Sequence, residues 1–294
     1  MAQSQSLQNL TRTRLLFHYD GSLRTNNTSI LSLQAYNSLP EADQGLIKPG
    51  SINPSPTHAL ITESTIFHPQ GGGQPSDAGK ITTSEEDDAS TFEVNMVRHA
   101  FTAPSVVLHF GHFPSGHSPQ REELTEGSSV TQHIDAEKRL LCSRLHTAGH
   151  VLGAAVRHLL ENKIEGFDEL KASHFPDSAA CEFSGSIPGD QKQPIQERVN
   201  EYVDKHMPVE VQFWSKDDFK SHDLERLIPG DEEWDAIAET ELPRKDKIRV
   251  VNIVGAEVYP CGGTHVGETG ECGKVTVRKI GRSKGTSRVG YNVD

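Results

Sequence analysis

Two pairs of candidate metal ligands stand out in the sequence. His146 and His150 lie four residues apart, and Cys261 and His265 have the same spacing much later in the chain. Side chains four residues apart in a helix lie on one face, so the two imidazoles can reach the same ion. A thiolate and a third imidazole would complete a Cys/His₃ set, which zinc accepts in tetrahedral sites. The spacing therefore predicts a metal site formed by these four residues.

The residues between the two histidines argue against one common class of zinc enzyme. Metallopeptidases carry His-Glu-x-x-His and use the glutamate as a base. Here Thr147, Ala148 and Gly149 separate the histidines, and none is a carboxylate. A zinc finger is also disfavoured, because the two ligand pairs lie far apart within sequence of folded composition. Four protein ligands are typical of structural zinc whereas catalysis needs an open position, and the sequence leaves both roles open.

A glycine-rich segment in the first half is a second candidate binding element. Gly71, Gly72 and Gly73 precede Gln74 in the motif that ends at Asp77. Backbone amides without side chains allow a ligand to approach closely and can bind anions or ribose. The ordinary alternative is a hairpin turn. In combination with the distant metal pairs, the motif predicts that residues 71–74 contact the substrate.

The elements that must position these residues change in character near residue 130. Before that point, Pro, Gly, Ser and Asn separate short apolar runs, which favours a small β-barrel. The predicted strands cover 14–19, 59–67, 78–82, 91–97 and 106–110. The predicted loops cover 39–56, 84–90 and 114–120.

The second half has helical periodicity as well as strands. Apolar residues at helical spacing predict a helix from an N-cap at Asp135 to Leu160, and this helix carries both histidines. A helix is predicted from Pro194 and a short one over 231–239. The predicted strands cover 209–214 and 248–254, with a closing hairpin over 275–293. We therefore expect an α+β fold with domains at 1–130 and 131–294.

Composition and charge restrict the class of protein. The 294 residues carry a formal net charge of −12, which argues against a general nucleic-acid coat. The charge is uneven, however, since a basic strip follows Glu271. The strip consists of Lys274, Arg278, Lys279, Arg282, Lys284 and Arg288. It predicts local contact with phosphates, while an ordinary solvated strand pair is the alternative.

The expected location is the cytoplasm. Four cysteines are too few for a disulfide framework and favour a reducing compartment. No apolar run reaches the ~18 residues of a membrane helix, and the first apolar cluster is too short for a signal peptide. Residues 1–19 contain two arginines and no acid, so an organelle-targeted form remains an alternative.

Taken together, the motifs resemble those of the freestanding alanyl-tRNA editing proteins of the AlaX type, which are relatives of the alanyl-tRNA synthetase editing domain. The resemblance depends on four segments in order: Gly71-Gly-Gly-Gln-Pro-Ser-Asp77, His146-Thr-Ala-Gly-His150, Lys171-Ala-Ser-His-Phe-Pro-Asp177 and Cys261-Gly-Gly-Thr-His265. It covers roughly residues 12–293. One departure is His68, where relatives usually carry tyrosine.

The resemblance implies a fold and an activity. The fold would be a glycine-rich β-barrel-like domain followed by an α+β editing core that binds Zn²⁺. The activity would be hydrolysis of the aminoacyl ester of tRNA(Ala) wrongly charged with serine, or with glycine, in support of translation fidelity. Zinc would activate water or polarise the carbonyl, or else hold the substrate amino group. The partner would be the acceptor end of tRNA(Ala), with no membrane involved.

Five further residues have roles within this interpretation. Lys171 and His174 would contact ribose or phosphate, and His174 would also shuttle a proton. Glu182 would orient water or a ligand imidazole, with a solvated strand face as the alternative for all three. Thr147 and Thr264 would supply a hydroxyl that recognises serine, with packing or capping as their alternative.

Two other functions remain open at this point. The first is a zinc-stabilised tRNA-binding module without turnover. The second is a deacylase of serine-charged tRNA(Thr), because relatives of that type share the metal pairs. The segments around Gly262–Gly263 and Gly71–Gly73 favour the alanine type.

Overall fold

A computed structural model describes residues 6–83, 90–114, 124–240 and 246–294. Two compact units make up the chain, namely Met1–Gly71 with Pro75–Arg139 and Gly72–Gln74 with Leu140–Asp294. The functional division into 1–130 and 131–294 stays a prediction. Most of the predicted loops over 84–90 and 114–120 lies outside the described residues.

The first unit is built on a closed barrel. Its elements are β1 (Arg14–Leu15), β2 (Thr25–Ala35), α1 (Glu41–Gln44), β3 (His58–Thr62), β4 (Ser64–Thr65), β5 (Gly79–Thr82), β6 (Thr91–His99), β7 (Val107–His112) and β8 (Ser129–Ile134). Six strands close antiparallel in the order β2-β3-β7-β6-β5-β8, while β1 pairs with β4 in parallel. The expected barrel-like first half is confirmed.

Strand β2 is the main element that sequence reasoning missed. It is eleven residues long, yet only Thr28, Ile30 and Gln34 are buried. Its polar residues lack the apolar alternation that signals a strand. The strand forms because β8 and β3 lie on either side and satisfy its backbone groups. The predicted loop over 39–56 also contains the short helix α1.

Asp77, the last residue of the glycine motif, has a structural role in the first unit. Its carboxylate forms an ion pair with Arg139, and both side chains have no solvent exposure. The same carboxylate accepts a hydrogen bond of 2.6 Å from the backbone N–H of His68. Arg139 also donates to the carbonyls of Ile66 and Gly21. Both buried charges are therefore paired and hydrogen-bonded, which is what burial requires.

The long helix α2 (Ala136–Leu160) carries the first metal-ligand pair. As predicted, Asp135 caps it, since its Oδ1 accepts a 2.9 Å hydrogen bond from the backbone N–H of Lys138. The apolar stripe through Leu145, Leu152 and Val156 is fully buried in the core of the second unit. This burial fixes the rotation of the helix and hence the direction of its histidines.

Two sheets organise the rest of the second unit. Its further elements are β9 (Glu169–Ser173), β10 (Ala180–Ser184), α3 (Lys192–Asp204), β11 (Val209–Trp214), α4 (Lys216–Ser221), α5 (Asp231–Thr240), β12 (Ile248–Ile253), β13 (Glu257–Pro260), β14 (Val275–Ser283) and β15 (Thr286–Val293). One sheet has the order β14-β15-β10-β9 and the other β11-β12-β13. The predicted α+β architecture is confirmed.

A separate apolar cluster supports the sheet that leads to Cys261. Trp214, Phe219 and Trp234 pack with Ile248 and Val250 of β12. Within the described residues, no helix combines the length and the hydrophobicity needed to cross a membrane.

Candidate metal centre and adjoining pocket

The four predicted ligands meet at one place in the second unit. One ligand atom from each of His146, His150, Cys261 and His265 lies within 4.8 Å of all the others. The Cys261 Sγ atom is 3.5 Å from Nε2 of His146 and 3.3 Å from Nε2 of His265. Helix α2 provides two donors, and the loop after β13 provides the other two. The arrangement can hold a single metal ion.

Glycine allows this loop to lie close to the helix. A Cβ atom on Gly263 would overlap the His146 ring and come 2.8 Å from Oε1 of Gln74. The backbone N–H of the same glycine points at Cys261 Sγ from 3.3 Å. Any larger residue would push the Cys261 segment away from the helix, so the glycine is a geometric requirement of the site.

Gln74 orients the first imidazole. Its Oε1 lies 2.7 Å from Nδ1 of His146 and accepts a 3.0 Å hydrogen bond from the backbone N–H of Thr264. Its Nε2 donates to Thr264 Oγ1 over 2.9 Å, and Ser143 Oγ lies 2.8 Å from the same hydroxyl. An acceptor on Nδ1 fixes the ring and directs Nε2, which faces Cys261 Sγ, toward the candidate metal position. Such an outer hydrogen-bond partner is usual for a histidine that binds metal.

Thr147 supports the imidazole of the second pair. Its Oγ1 lies 3.2 Å from Nδ1 of His265 and accepts a 3.2 Å hydrogen bond from the backbone N–H of Val266. The Val266 N–H occupies one acceptor position of the Thr147 hydroxyl. The hydroxyl can still form a hydrogen bond with Nδ1 of His265, and this contact orients the imidazole ring. The distant loop is thereby tied to helix α2 at a fully buried position.

Burial keeps the donor atoms in defined protonation states when no ion is bound. Desolvation lowers the pKa of His150 to about 3, and the nearby His174 and Arg249 act in the same direction. Its buried Nδ1 has no hydrogen-bond partner among the described residues. Desolvation raises the pKa of the Cys261 thiol, and the buried Arg249 opposes this effect. A metal ion binds the neutral form of the imidazole, which burial already favours. Its positive charge would also favour the thiolate of Cys261 and so oppose the effect of burial on that thiol.

A cavity of ≈ 320 Å³ adjoins the centre. Three of the candidate ligands line it, together with strand residues from β9 and β10. Gly72, Gly149 and Ala172 leave space for an occupant. This volume falls at the lower end of the range for small-molecule sites.

His174 forms part of the wall beside the ligands. Its ring stacks on that of His146 with centroids 4.1 Å apart, and its Nδ1 lies 2.6 Å from the hydroxyl of Tyr291. Desolvation lowers the pKa of His174 to about 4, so the ring is neutral at pH 7. Burial also raises the pKa of Tyr291, whose phenol therefore stays protonated.

Comparison with known proteins shows which proteins the chain resembles. Residues 248–289, which include Cys261 and His265, match the family described as Threonyl and Alanyl tRNA synthetase second additional domain. The chain is 30% identical to Alanyl-tRNA editing protein AlaX-L of Pyrococcus horikoshii, over 79% of this chain and 50% of that protein. It is 28% identical to Alanine--tRNA ligase of Methanosphaera stadtmanae, over 97% of this chain and 27% of the ligase. This chain is a relative of the alanyl-tRNA editing proteins.

The similarity covers only part of the length of each relative. The chain thus spans about a quarter of the length of that ligase and half of the length of the editing protein. A ligase from Methanobrevibacter smithii gives a similar result, with 28% identity over 83% of this chain and 25% of the ligase.

The three residues predicted for catalysis in this editing relative all lie on the pocket wall. They are His174, Lys171 and Glu182. Glu182 pairs with Lys171 across β10 and β9, and their charged atoms are 3.5 Å apart. On the other side, Glu182 faces Arg288 of β15 at 3.8 Å. The Glu182 carboxylate thus lies between two cations, and the roles in catalysis stay predictions.

Several residues predicted to bind substrate make hydrogen bonds inside the protein, and their contact with substrate stays a prediction. Gln74, Thr147 and Thr264 are almost fully buried, and their polar atoms already bond to metal-ligand rings or to each other. These positions favour orientation of the ligands over contact with a substrate hydroxyl.

The glycines of the motif also differ from one another. Gly72 lines the pocket, whereas Gly71 falls in the first unit, and contact of either with substrate stays a prediction. Gly73 has a positive φ of 79°, and its carbonyl accepts a 2.8 Å hydrogen bond from the backbone N–H of His174. A Cβ atom there would overlap the carbonyl of Ala172. Gly73 therefore positions strand β9 beside the site.

Two glycines on α2 were not recognised as functional from sequence. A Cβ on Gly149 would collide with the His174 ring and come 2.7 Å from the Tyr291 hydroxyl. One turn later, a Cβ on Gly153 would come 2.6 Å from the Glu169 carboxylate and 2.9 Å from the Tyr259 hydroxyl. The four-residue spacing places Gly149 and Gly153 on the same face of the helix. This spacing is the feature of the sequence that could have identified them.

Glu169 and Tyr259 form the far side of the pocket. Arg157 donates to the Glu169 carboxylate over 2.8 Å. Desolvation nevertheless raises the pKa of Glu169, while Arg157 opposes the shift. Tyr259 donates to the carbonyl of His150 over 3.3 Å. No short motif in the sequence marks either residue, because both reach the pocket only through sheet packing.

The six residues of the basic strip are all exposed. Lys274 directly precedes β14, and the other five lie on β14, on β15 and in the connection between them. Lys274 lies 3.7 Å from the Asp294 carboxylate, and Arg288 forms the pair with Glu182. Contact of the strip with phosphates stays a prediction.

Proposed function

We propose that this protein hydrolyses the ester of tRNA(Ala) that carries serine, with glycine as a second substrate. In this reaction water adds to the ester carbonyl and the bond to the terminal ribose breaks. The ribose oxygen takes a proton, and the products are the free amino acid and intact tRNA. The observation that carries the proposal is the Cys/His₃ cluster beside a pocket, in a chain related to AlaX-L.

Zinc is the metal that we propose for the centre. One thiolate and three imidazoles, with supporting partners on His146 and His265, are the kind of donor set that binds zinc. When bound, zinc supplies positive charge beside the ester carbonyl. The other tasks fall to residues of the chain.

His174 is the residue that we assign to proton transfer. It lines the pocket, and its neutral ring can accept a proton from the attacking water. Because its pKa is about 4, the ring is a weak base, but the basic form is fully populated at neutral pH. Lys171 on the pocket wall, together with Arg288, which pairs with the adjacent Glu182, would attract the phosphate of the terminal nucleotide.

The basic strip would extend this contact along the acceptor stem. Its cations offer an electrostatic, sequence-independent attraction that weakens with salt. The expected cytoplasmic location stays a prediction.

Hydrolysis of charged tRNA tests the proposal. Purified protein is incubated with tRNA(Ala) charged with labelled serine, glycine or alanine, and release of the amino acid is followed over time. We expect release of serine and sparing of alanine, with loss of activity and of bound zinc in Cys261→Ala. Cys142→Ala is the matched control, because Cys142 is a cysteine of the same unit that lies outside the cluster.

Each of the alternative functions has its own result. Binding of tRNA without release of serine would indicate a binding module. Release only from tRNA(Thr) would indicate the threonine type, which the matched family description also covers. Full activity in Cys261→Ala would refute the metal centre as part of the catalyst.

A further inference from the structure

The hydroxyl of Tyr291 lies between helix α2 and the ring of His174. It donates a 2.9 Å hydrogen bond to the carbonyl of Leu145 and lies 2.6 Å from Nδ1 of His174. Tyr291 has no solvent exposure and His174 has only 2%. Water therefore does not compete for these hydrogen bonds.

Counting hydrogens decides the direction of the second bond. A neutral phenol has one hydrogen, and the Leu145 carbonyl can only accept. If that hydrogen goes to Leu145, the His174 contact requires a proton on Nδ1. In the other tautomer Nδ1 has no proton, so the single phenol hydrogen could serve only one of the two acceptors. The other hydrogen bond would be lost, which is costly in a buried network.

The ring has little freedom to avoid this constraint. Its stacking partner is the His146 ring at 4.1 Å, and Gly149 provides the notch into which Nδ1 and Cε1 fit. The backbone N–H of His174 is held by the Gly73 carbonyl at 2.8 Å. Among the described residues, no hydrogen bond involves Nε2, and the ring borders the cavity.

We infer that Tyr291 is a positioning residue, which holds His174 in the tautomer with its proton on Nδ1 and its lone pair on Nε2 available to a molecule in the pocket. The consequence for catalysis rests on the proposed function, whereas the tautomer is a property of the protein itself. A tyrosine that only packed would not select between the two nitrogens.

The test compares Tyr291→Phe with a matched control. Tyr202 also lies 2.6 Å from a histidine Nδ1, that of His158, and neither residue borders the cavity. Tyr202→Phe therefore removes a Tyr–His contact of the same length away from the site. Proton-detected NMR of ¹⁵N-histidine protein reports which ring nitrogen is protonated, and the His174 signal is assigned by its loss in His174→Asn.

In the zinc-loaded wild-type protein we expect His174 to carry its proton on Nδ1. In Tyr291→Phe we expect a mixture of tautomers, unchanged zinc content and a fall in kcat of about 3- to 10-fold, the effect of one hydrogen bond. KM should stay within about twofold, because the phenol itself does not meet the substrate. Tyr202→Phe should leave the His174 spectrum and kcat unchanged.

A proton on Nε2 in the wild type would overturn the inference even if Tyr291→Phe does not fold. An unchanged His174 spectrum in a folded Tyr291→Phe would overturn it as well. If the tautomer behaves as expected but the wild type releases no serine, the positioning role is supported and the proposed function alone fails.

Discussion

Replacement of Gln74 by leucine tests the interpretation that this side chain orients a metal ligand. Gln74 is fully buried and makes three hydrogen bonds, of 2.7 Å to His146 and of 3.0 and 2.9 Å to Thr264. Leucine has a similar volume but neither accepts nor donates. Gln74→Leu therefore removes the partner of His146 Nδ1 without opening a large cavity.

Two effects with different magnitudes should follow. The loss of an outer partner of a ligand histidine weakens metal affinity by about 10- to 100-fold, or about 1.4–2.7 kcal/mol. Two buried donors, Nδ1–H of His146 and the backbone N–H of Thr264, are also left without an acceptor. At about 1–3 kcal/mol each, they should lower the free energy of unfolding by about 2–6 kcal/mol.

A matched variant separates these effects. Gln132 is also fully buried and bonds through its side chain to Ile66, Thr62 and Ser64 in the barrel unit. Gln132→Leu should lower stability to urea by a similar amount and leave zinc affinity unchanged. Zinc affinity is measured by competition with a chromophoric chelator. If Gln74→Leu binds zinc within about twofold of the wild type, the orienting role is refuted.

Three further results are expected. Thr147→Val should weaken zinc binding by about tenfold, because it removes the hydroxyl beside His265 Nδ1, and unchanged affinity in the chelator assay would contradict this role. Arg139→Met should lower the free energy of unfolding in urea by about 3–5 kcal/mol, because Asp77 is left buried and unpaired; a loss below about 1 kcal/mol would show that the pair is dispensable. Burial lowers the pKa of His109 to about 4, so the folded state keeps it neutral while the unfolded chain binds a proton below about pH 6.5. Stability should therefore fall by roughly 3 kcal/mol between pH 6.5 and pH 4, and His109→Gln should flatten this slope in urea titrations at several pH values.

The cluster of candidate metal ligands was predictable because the spacing within each pair is local. His146 and His150 share a helix face through a four-residue separation, and the helix itself follows from the apolar stripe and the Asp135 cap. Cys261 and His265 could be recognised by residue type beside glycines. The barrel and the α+β core could be expected from short apolar runs and from periodicity.

Other features depend on contacts that no short window contains. Strand β2 has too few apolar residues to be predicted from sequence. It forms because hydrogen bonds to β3 and β8 pair its backbone on both sides. Gln74 was expected to meet substrate, yet the packing places it on His146, 72 residues away in sequence. The hydroxyls of Thr264 and Thr147 likewise bond to residues distant in sequence, namely Gln74 and His265.

Residue type and spacing therefore specify which side chains can bind a metal ion, since helix geometry fixes the directions of neighbours a few residues apart. They do not specify which distant residue occupies the buried position behind each ring. Tyr291 reaches His174 across 117 residues through the pairing of β15 with β10. Such a partner is selected by burial, because a polar atom removed from water must find a hydrogen bond wherever the completed packing offers one.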